Sequence, residues 1–326
     1  MYKESRTLMD TYCTITIVSP SRERAAEAIN KGFAEIKKLE VLLNYFSDGS
    51  EITAINKAAG TRPVKVSGET LEMMRKALEI SKATGGTFDP TIAPVIKLWD
   101  FSKKRRDNSV PDGSIIKNTL ELVDYKKIQI NSKSEVFLAE KGMEIDLGGI
   151  AKGYAADKAM EAIKAEGIEA ALVAIAGDIR GAGFSTSGNA WKVGIQDPRP
   201  EAGSEKPWED IFSSLYLEDM AISTSGDYQR FFIKDGKRYH HILDPSTGFP
   251  AESDLLSASV IAPEGYIADG LSTAVFALGA EKGMALLKAM EVEGVLVDRD
   301  RNVFATKRIR GKIDILKNEY LINEQY

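Results

Sequence analysis

The sequence predicts an α+β protein: a mixed, largely antiparallel sheet core with flanking helices. Three observations carry this. Strand-like and helix-like stretches follow one another without a regular strand–helix–strand beat, which disfavours a parallel sheet wound by crossover helices. Asp235-Gly236 stands between two β-rich runs, a strong short-range sign of an antiparallel hairpin. Two short apolar runs at 294–298 and 303–306 are spaced for a second hairpin near the end of the chain. With 326 residues and 43% hydrophobic content, the core can form one large domain or two lobes. No linker stands out, so residues 1–326 are read as a single domain.

Taken in order, the apolar and β-branched run 11–18 predicts a strand. Residues 21–43 predict a long amphipathic helix, with Ala28, Phe33, Ile36, Leu39 and Leu43 near helical spacing. Residues 67–84 predict a second helix, with Ser67 as cap and Gly85-Gly86 past its end. The charged stretch 103–113, which carries Pro111, predicts a loop. A strand is expected at 143–147, then a helix over 150–166 ended by Gly167, then a buried strand at 170–175. Three prolines make 198–208 a loop. The hairpin spans 231–243. A strand follows at 255–261, one or two helices at 266–290, and the closing hairpin.

Composition narrows the function. The net charge is −5, so no basic surplus argues for nucleic acid as ligand. The one cysteine, Cys13, excludes an internal disulfide and any Cys-rich metal site; it sits in an apolar strand and reads as buried. No stretch of about 18 apolar residues occurs to span a membrane. The first residues, Met1-Tyr2-Lys3-Glu4-Ser5-Arg6, lack the apolar centre of a signal peptide. The chain is therefore expected to be cytoplasmic or to have lost a leader.

Five segments join glycine to carboxylate: Thr84-Gly85-Gly86-Thr87-Phe88-Asp89-Pro90, Asp146-Leu147-Gly148-Gly149-Ile150-Ala151-Lys152-Gly153, Ala176-Gly177-Asp178-Ile179-Arg180-Gly181, His241-Ile242-Leu243-Asp244-Pro245 with Gly248 just beyond, and Ala268-Asp269-Gly270-Leu271-Ser272-Thr273. Glycine lets backbone approach a ligand, and Asp is a hard oxygen ligand. Any one segment is equally well a turn with a capping Asp; five together suggest a shared site. The second suits an anion, because a helix start offers free N–H groups and a positive dipole end. Lys152 in its first turn opposes the dipole and hints at an anionic ligand. A plain glycine turn remains the other reading. The pattern is neither a dinucleotide fingerprint nor a P-loop, which disfavours a nicotinamide oxidoreductase. Asp269 and Thr273 fall one helical turn apart and can share a Mg²⁺, or can serve as a cap and a back-bonded Thr. His240 and His241 are the only histidines. On a strand they point to opposite faces, and either can act as a base near neutral pH or simply pack.

In order along the chain, Met9-Asp10-Thr11, Ser50-Glu51-Ile52 with Asn56, and 85–90 match the pattern of one family. Further matches follow at 146–157, 176–180, 223–228, 241–248 and 268–279. Together they make the sequence resemble the ApbE family, the FAD:protein FMN transferases, over about residues 7–306. The resemblance implies that FAD lies in a cleft beside Met9, Phe46, Thr87, Phe88, Asp89, Asp146, Lys152 and His241. It implies Mg²⁺ held by Asp269, Thr273 and the backbone carbonyl of Gly149. It also implies a second protein whose Thr or Ser hydroxyl attacks the FMN-side phosphorus of FAD, with AMP leaving and His241 accepting the proton. Acceptors in the family are subunits of membrane redox complexes, and placement is periplasmic or on the outer side of the inner membrane. Water in place of the acceptor would make the protein an FAD pyrophosphatase. A flavin-binding protein without turnover is the remaining alternative.

Overall fold

The computed structural model describes residues 1–101, 109–200 and 205–324. The loops expected at 103–113 and 198–208 therefore lie partly outside the described residues. The chain divides into two compact units. The first is built from Met1–Glu40, Ile150–Gly226 and Asp254–Tyr326, the second from Val41–Gly149 and Asp227–Ser253.

Among the described residues, the first unit holds a nine-stranded sheet. Its order is Tyr2–Leu8, Thr11–Val18, Ala170–Ile175, Asp178–Ala182, Ala221–Gly226, Leu255–Ala262, Glu293–Asp298, Asn302–Ala305 and Leu321–Asn323. Neighbours pair antiparallel except the last two, which are parallel. The expectation of a mixed, largely antiparallel sheet with flanking helices is met. The strand Leu255–Ala262 is buried along its whole length, as a central strand requires. A second sheet of three strands, Ile313–Ile315, Ile211–Leu217 and Trp191–Gln196, encloses a core with Trp191, Phe212, Leu215 and Tyr320.

Three long helices belong wholly or largely to this unit. In Arg22–Leu43, Ala28, Phe33, Ile36, Leu39 and Leu43 are all buried, so the apolar stripe read from the sequence faces the core. The helices Ala151–Ala165 and Gly265–Ala289 pack on the sheet and cross each other at Gly153 and Gly265. A Cβ on Gly153 would overlap the Gly265 carbonyl and lie 2.8 Å from the Asp269 Cβ. Only two glycines allow the backbones this close. The later helix breaks at Gly279 (φ 80°), and Asp254 accepts the Ala280 N–H at 2.9 Å to restart it. The sequence left one or two helices open; the structure has two segments.

The second unit carries the helices Glu51–Lys57, Gly68–Ala83, Ala93–Trp99 and Gly113–Leu120. Ser67 caps Gly68–Ala83 by accepting the Thr70 N–H, and Gly85 and Gly86 follow in the left-handed region. The Asp-Gly hairpin forms as Phe231–Lys234 with Lys237–His240. Trp99 centres the core with Val95, Ile116 and Leu243, stacks on Phe101 and Tyr239, and donates its indole N–H to the Gly248 carbonyl at 2.7 Å.

Two expectations need correction. Residues 143–147 are not a strand. The Asn56 side chain takes both backbone groups of Ile145, at 2.8 and 3.0 Å, and the Asp146 N–H goes to the Pro90 carbonyl, so no ladder forms. The hairpin near 294–306 does not close the chain. The helix Lys307–Arg310 and two strands follow. Asp197, fully buried, holds them by accepting from Lys317 at 2.6 Å and Tyr320 at 2.5 Å.

Candidate active site

In the first unit, four elements bring polar side chains to one place. Strand alternation puts Ser223 and Ser225 on one face of Ala221–Gly226, while Thr224 turns to the other and bonds Ser259 at 2.8 Å. Asp269, Ser272 and Thr273 share a face of the helix Gly265–Ala289, being three and four residues apart. Lys152 comes from the first turn of Ala151–Ala165 and Asp178 from the start of its strand.

Lys152 is the hub. Its ammonium lies 2.6 Å from the Asp178 carboxylate and 3.6 Å from that of Asp269. Asp178 also accepts the Ser223 hydroxyl proton. Asp269 accepts the Gly153 N–H at 2.9 Å, in the first turn of a helix that has no side-chain cap of its own. The anions that meet Lys152 and the Gly153 N–H at this helix start are carboxylates of the protein, whereas the sequence hinted at an anionic ligand there. Burial alone would lower the Lys152 pKa; the two carboxylates more than reverse this and keep it protonated. Burial and the neighbouring Asp178 raise the Asp269 carboxyl, against the pull of Lys152 and Gly153. Two buried carboxylates thus meet one ammonium, and a further cation would relieve the imbalance.

The donor set fits a hard divalent cation. A carboxylate and a hydroxyl stand one turn apart, beside an excess of negative charge. Among the described residues no three His, Cys, Asp or Glu side chains form a metal cage. Mg²⁺ does not need one, because it keeps waters and phosphate oxygens and binds through one or two carboxylates.

Met9, also in the first unit, lies with Asp10 in a two-residue turn between the first two strands. Both have positive φ, 52° and 55°. The Met9 N–H is fixed on Glu40 at 2.8 Å.

The second unit contains Phe46, Thr87, Phe88, Asp89, Asp146, Gly149 and His241. Phe46 is 83% exposed, with its ring edge-on to Tyr45, whereas Phe88 is buried. Asp89 is a cap: its carboxylate accepts from the Thr91 N–H, the Thr91 hydroxyl and the Tyr125 N–H at 2.6–2.9 Å. Burial raises its pKa, and those bonds pull it back. The bond between the Asp146 N–H and the Pro90 carbonyl joins the 87–90 and 146–149 segments. Asp146 has its pKa raised by burial, against the Gly148 N–H and the charge of Arg230. Arg230 also accepts the His241 N–H on its carbonyl at 3.0 Å. His240 ends its strand with its ring buried and Nε2 3.2 Å from the Ala251 carbonyl; His241 lies one residue past the strand and is half-buried. Strand alternation therefore does not by itself set the direction of His241.

Asp178, Ser223, Ser225 and Ser272 were not among the predicted site residues. Each stands in a segment the sequence had marked, but nothing in the sequence pairs them with Lys152 or Thr273.

A model of the ApbE family matches residues 9–296. An FAD:protein FMN transferase of Treponema pallidum is 33% identical, over 98% of this chain and 91% of its own length. The crystal structure of an ApbE protein from Thermotoga maritima superposes with a TM-score of 0.84 at 32% identity, covering 95% of this chain and 98% of its own. The flavin transferase ApbE of Vibrio cholerae gives a TM-score of 0.84 at 25% identity, with the same coverage.

Proposed function

Since the chain belongs to the ApbE family, we propose that it is a Mg²⁺-dependent FAD:protein FMN transferase acting on a Thr or Ser hydroxyl of an acceptor protein. Flavin transfer itself follows from the family and from relatives named for that activity over nearly their whole length. The observation that carries the metal-dependent form is the Lys152–Asp178–Asp269 cluster, short of one positive charge, with Thr273 one turn from Asp269.

The reaction balances as follows. The acceptor oxygen bonds to the FMN-side phosphorus, the bond from that phosphorus to the bridging oxygen breaks, and AMP leaves with the bridging oxygen. The acceptor proton passes to a base. Such a displacement requires positioning and charge neutralisation more than covalent help. Mg²⁺, when bound, supplies neutralisation on the phosphate oxygens. Asp269 and Thr273 would hold it, with the Gly149 carbonyl as the third protein ligand. Lys152, kept protonated by its carboxylates, fixes Asp269. His241 is the proposed base. Met9, Phe46, Thr87, Phe88, Asp89, Asp146 and Lys152 are the proposed FAD contacts, of which Asp89 would act through the loop it caps. The proposed acceptor is a subunit of a membrane redox complex, met at the outer side of the inner membrane.

The test is mass spectrometry of a candidate acceptor domain after incubation with the protein, FAD and Mg²⁺. The reading expects a mass gain of one FMN less one water, abolished by chelation. No gain with any Thr- or Ser-bearing acceptor, with FAD unchanged, refutes it.

A further inference from the structure

Resting on that reading of Asp269 and Thr273, we propose that Ser225 and Ser272 are positioning residues for the divalent cation. They hold the Thr273 hydroxyl with its proton turned inward and its lone pairs free for the metal.

A hydroxyl has one proton to donate and two lone pairs to accept with. Four hydroxyls form a connected set: Ser223 to Ser272 at 3.4 Å, Ser272 to Ser225 at 2.9 Å, and Ser225 to Thr273 at 3.3 Å. Two of the four, Ser223 and Ser272, are anchored by groups that can only accept. The Ser223 proton goes to the Asp178 carboxylate. The Ser272 proton goes to the backbone carbonyl of Asp269 at 2.9 Å. No proton is left for the long Ser223–Ser272 contact, so those two oxygens are neighbours only.

Ser272 has donated, so the short bond to Ser225 must use the Ser225 proton. Ser225 then meets Thr273 as an acceptor, and the proton in that bond is Thr273's own. The direction at Thr273 is thus set by Asp269's carbonyl, two hydroxyls away. The same carbonyl is where a helical threonine at i+4 would usually back-bond; Ser272 takes it instead. Thr273 is released to face Ser225 with one side and a cation with the other. A neutral hydroxyl that donates its proton to a fixed acceptor is the better metal ligand, which is how outer groups tune inner ones. Asp269 therefore contributes twice, its carboxylate directly and its carbonyl by orienting its partner.

Mn²⁺, a hard stand-in for Mg²⁺, is titrated into the purified full chain without FAD. The free ion is read by electron paramagnetic resonance, and thermal midpoints are recorded in parallel. Ser225→Ala should weaken binding roughly 10-fold, the lower end for outer-shell changes, with an unchanged midpoint. Ser225→Thr, which restores a hydroxyl, should recover it. Ser272→Ala, which frees the Ser225 proton to turn towards Thr273, should weaken binding as well. If Asp269→Ala abolishes binding while Ser225→Ala binds as wild type, or Ser225→Thr fails to rescue, the proposed orientation is wrong and the metal reading stands. If wild type binds no Mn²⁺, or Asp269→Ala binds as wild type does, the metal reading falls and this inference with it.

Discussion

Gly153→Ala poses two opposed effects whose magnitudes decide the outcome. In an ordinary helix interior, Gly→Ala stabilises by about 1 kcal/mol. Here the added methyl carbon would sit 2.5 Å from the Gly265 carbonyl carbon and 2.8 Å from the Asp269 Cβ. The first neighbour is backbone and cannot swing aside. Overpacking of this kind costs about 1–3 kcal/mol. If the helices part to make room, the charge-assisted bond from the Gly153 N–H to Asp269 is lost, at about 1.5–3 kcal/mol more. The net expectation is a loss of about 1.5–5 kcal/mol. Urea unfolding followed by circular dichroism measures it, with Gly68→Ala as the control. Gly68 opens a helix with nothing within 4 Å of a Cβ, so alanine there should be neutral or mildly stabilising. A Gly153→Ala protein within about 1 kcal/mol of wild type would show that the two backbones are not in contact.

Asp269→Ala should lower FMN transfer by on the order of 10²-fold or more, since several kcal/mol of charge stabilisation goes with the cation; near-normal turnover at low Mg²⁺ would remove Asp269 from the metal site. His241→Ala should slow transfer by ~10²–10⁴-fold with little change in FAD affinity. His240→Ala should instead lower stability by about 1–3 kcal/mol through its bond to the Ala251 carbonyl. Equal transfer rates in the two variants would leave the reaction without its base. Asp157 accepts the Gly265 and Tyr266 N–H groups, and burial pushes its carboxyl up to about 6 from 3.8, against those bonds and Arg180. A raised folded-state pKa means stability that is present below pH 3.8 and lost as pH rises through about 6. The wild type should therefore lose on the order of 2–3 kcal/mol across that window relative to Asp157→Asn; parallel pH–stability curves would contradict it.

What the sequence made legible was local. The β-branched run Thr11–Val18, the Ser67 cap and the Asp235-Gly236 turn are each fixed by residues within a few positions. What it hid depends on distant partners. Residues 143–147 carry an apolar alternation that imitates a strand, but Asn56, 89 residues away, consumes the backbone groups of Ile145. Tyr2–Leu8 is an edge strand with exposed side chains on both faces, so it offers no period-2 apolar signal. The tail beyond 306 is tied down by Asp197, which nothing local announces. At the site, the one-turn pair Asp269 and Thr273 was readable because it lies on one helix. That Lys152 meets Asp178 and Asp269 was not, because their approach depends on two glycines crossing.

The central claim is that a protein hydroxyl, and not water, receives FMN from FAD. The most direct measurement is the stoichiometry of AMP released to acceptor flavinylated in one reaction with excess FAD and Mg²⁺. The account predicts one AMP for each FMN bound covalently to the acceptor, with no free FMN accumulating. AMP and free FMN formed without adduct would identify an FAD hydrolase, and FAD left intact beside a competent acceptor would contradict the account altogether.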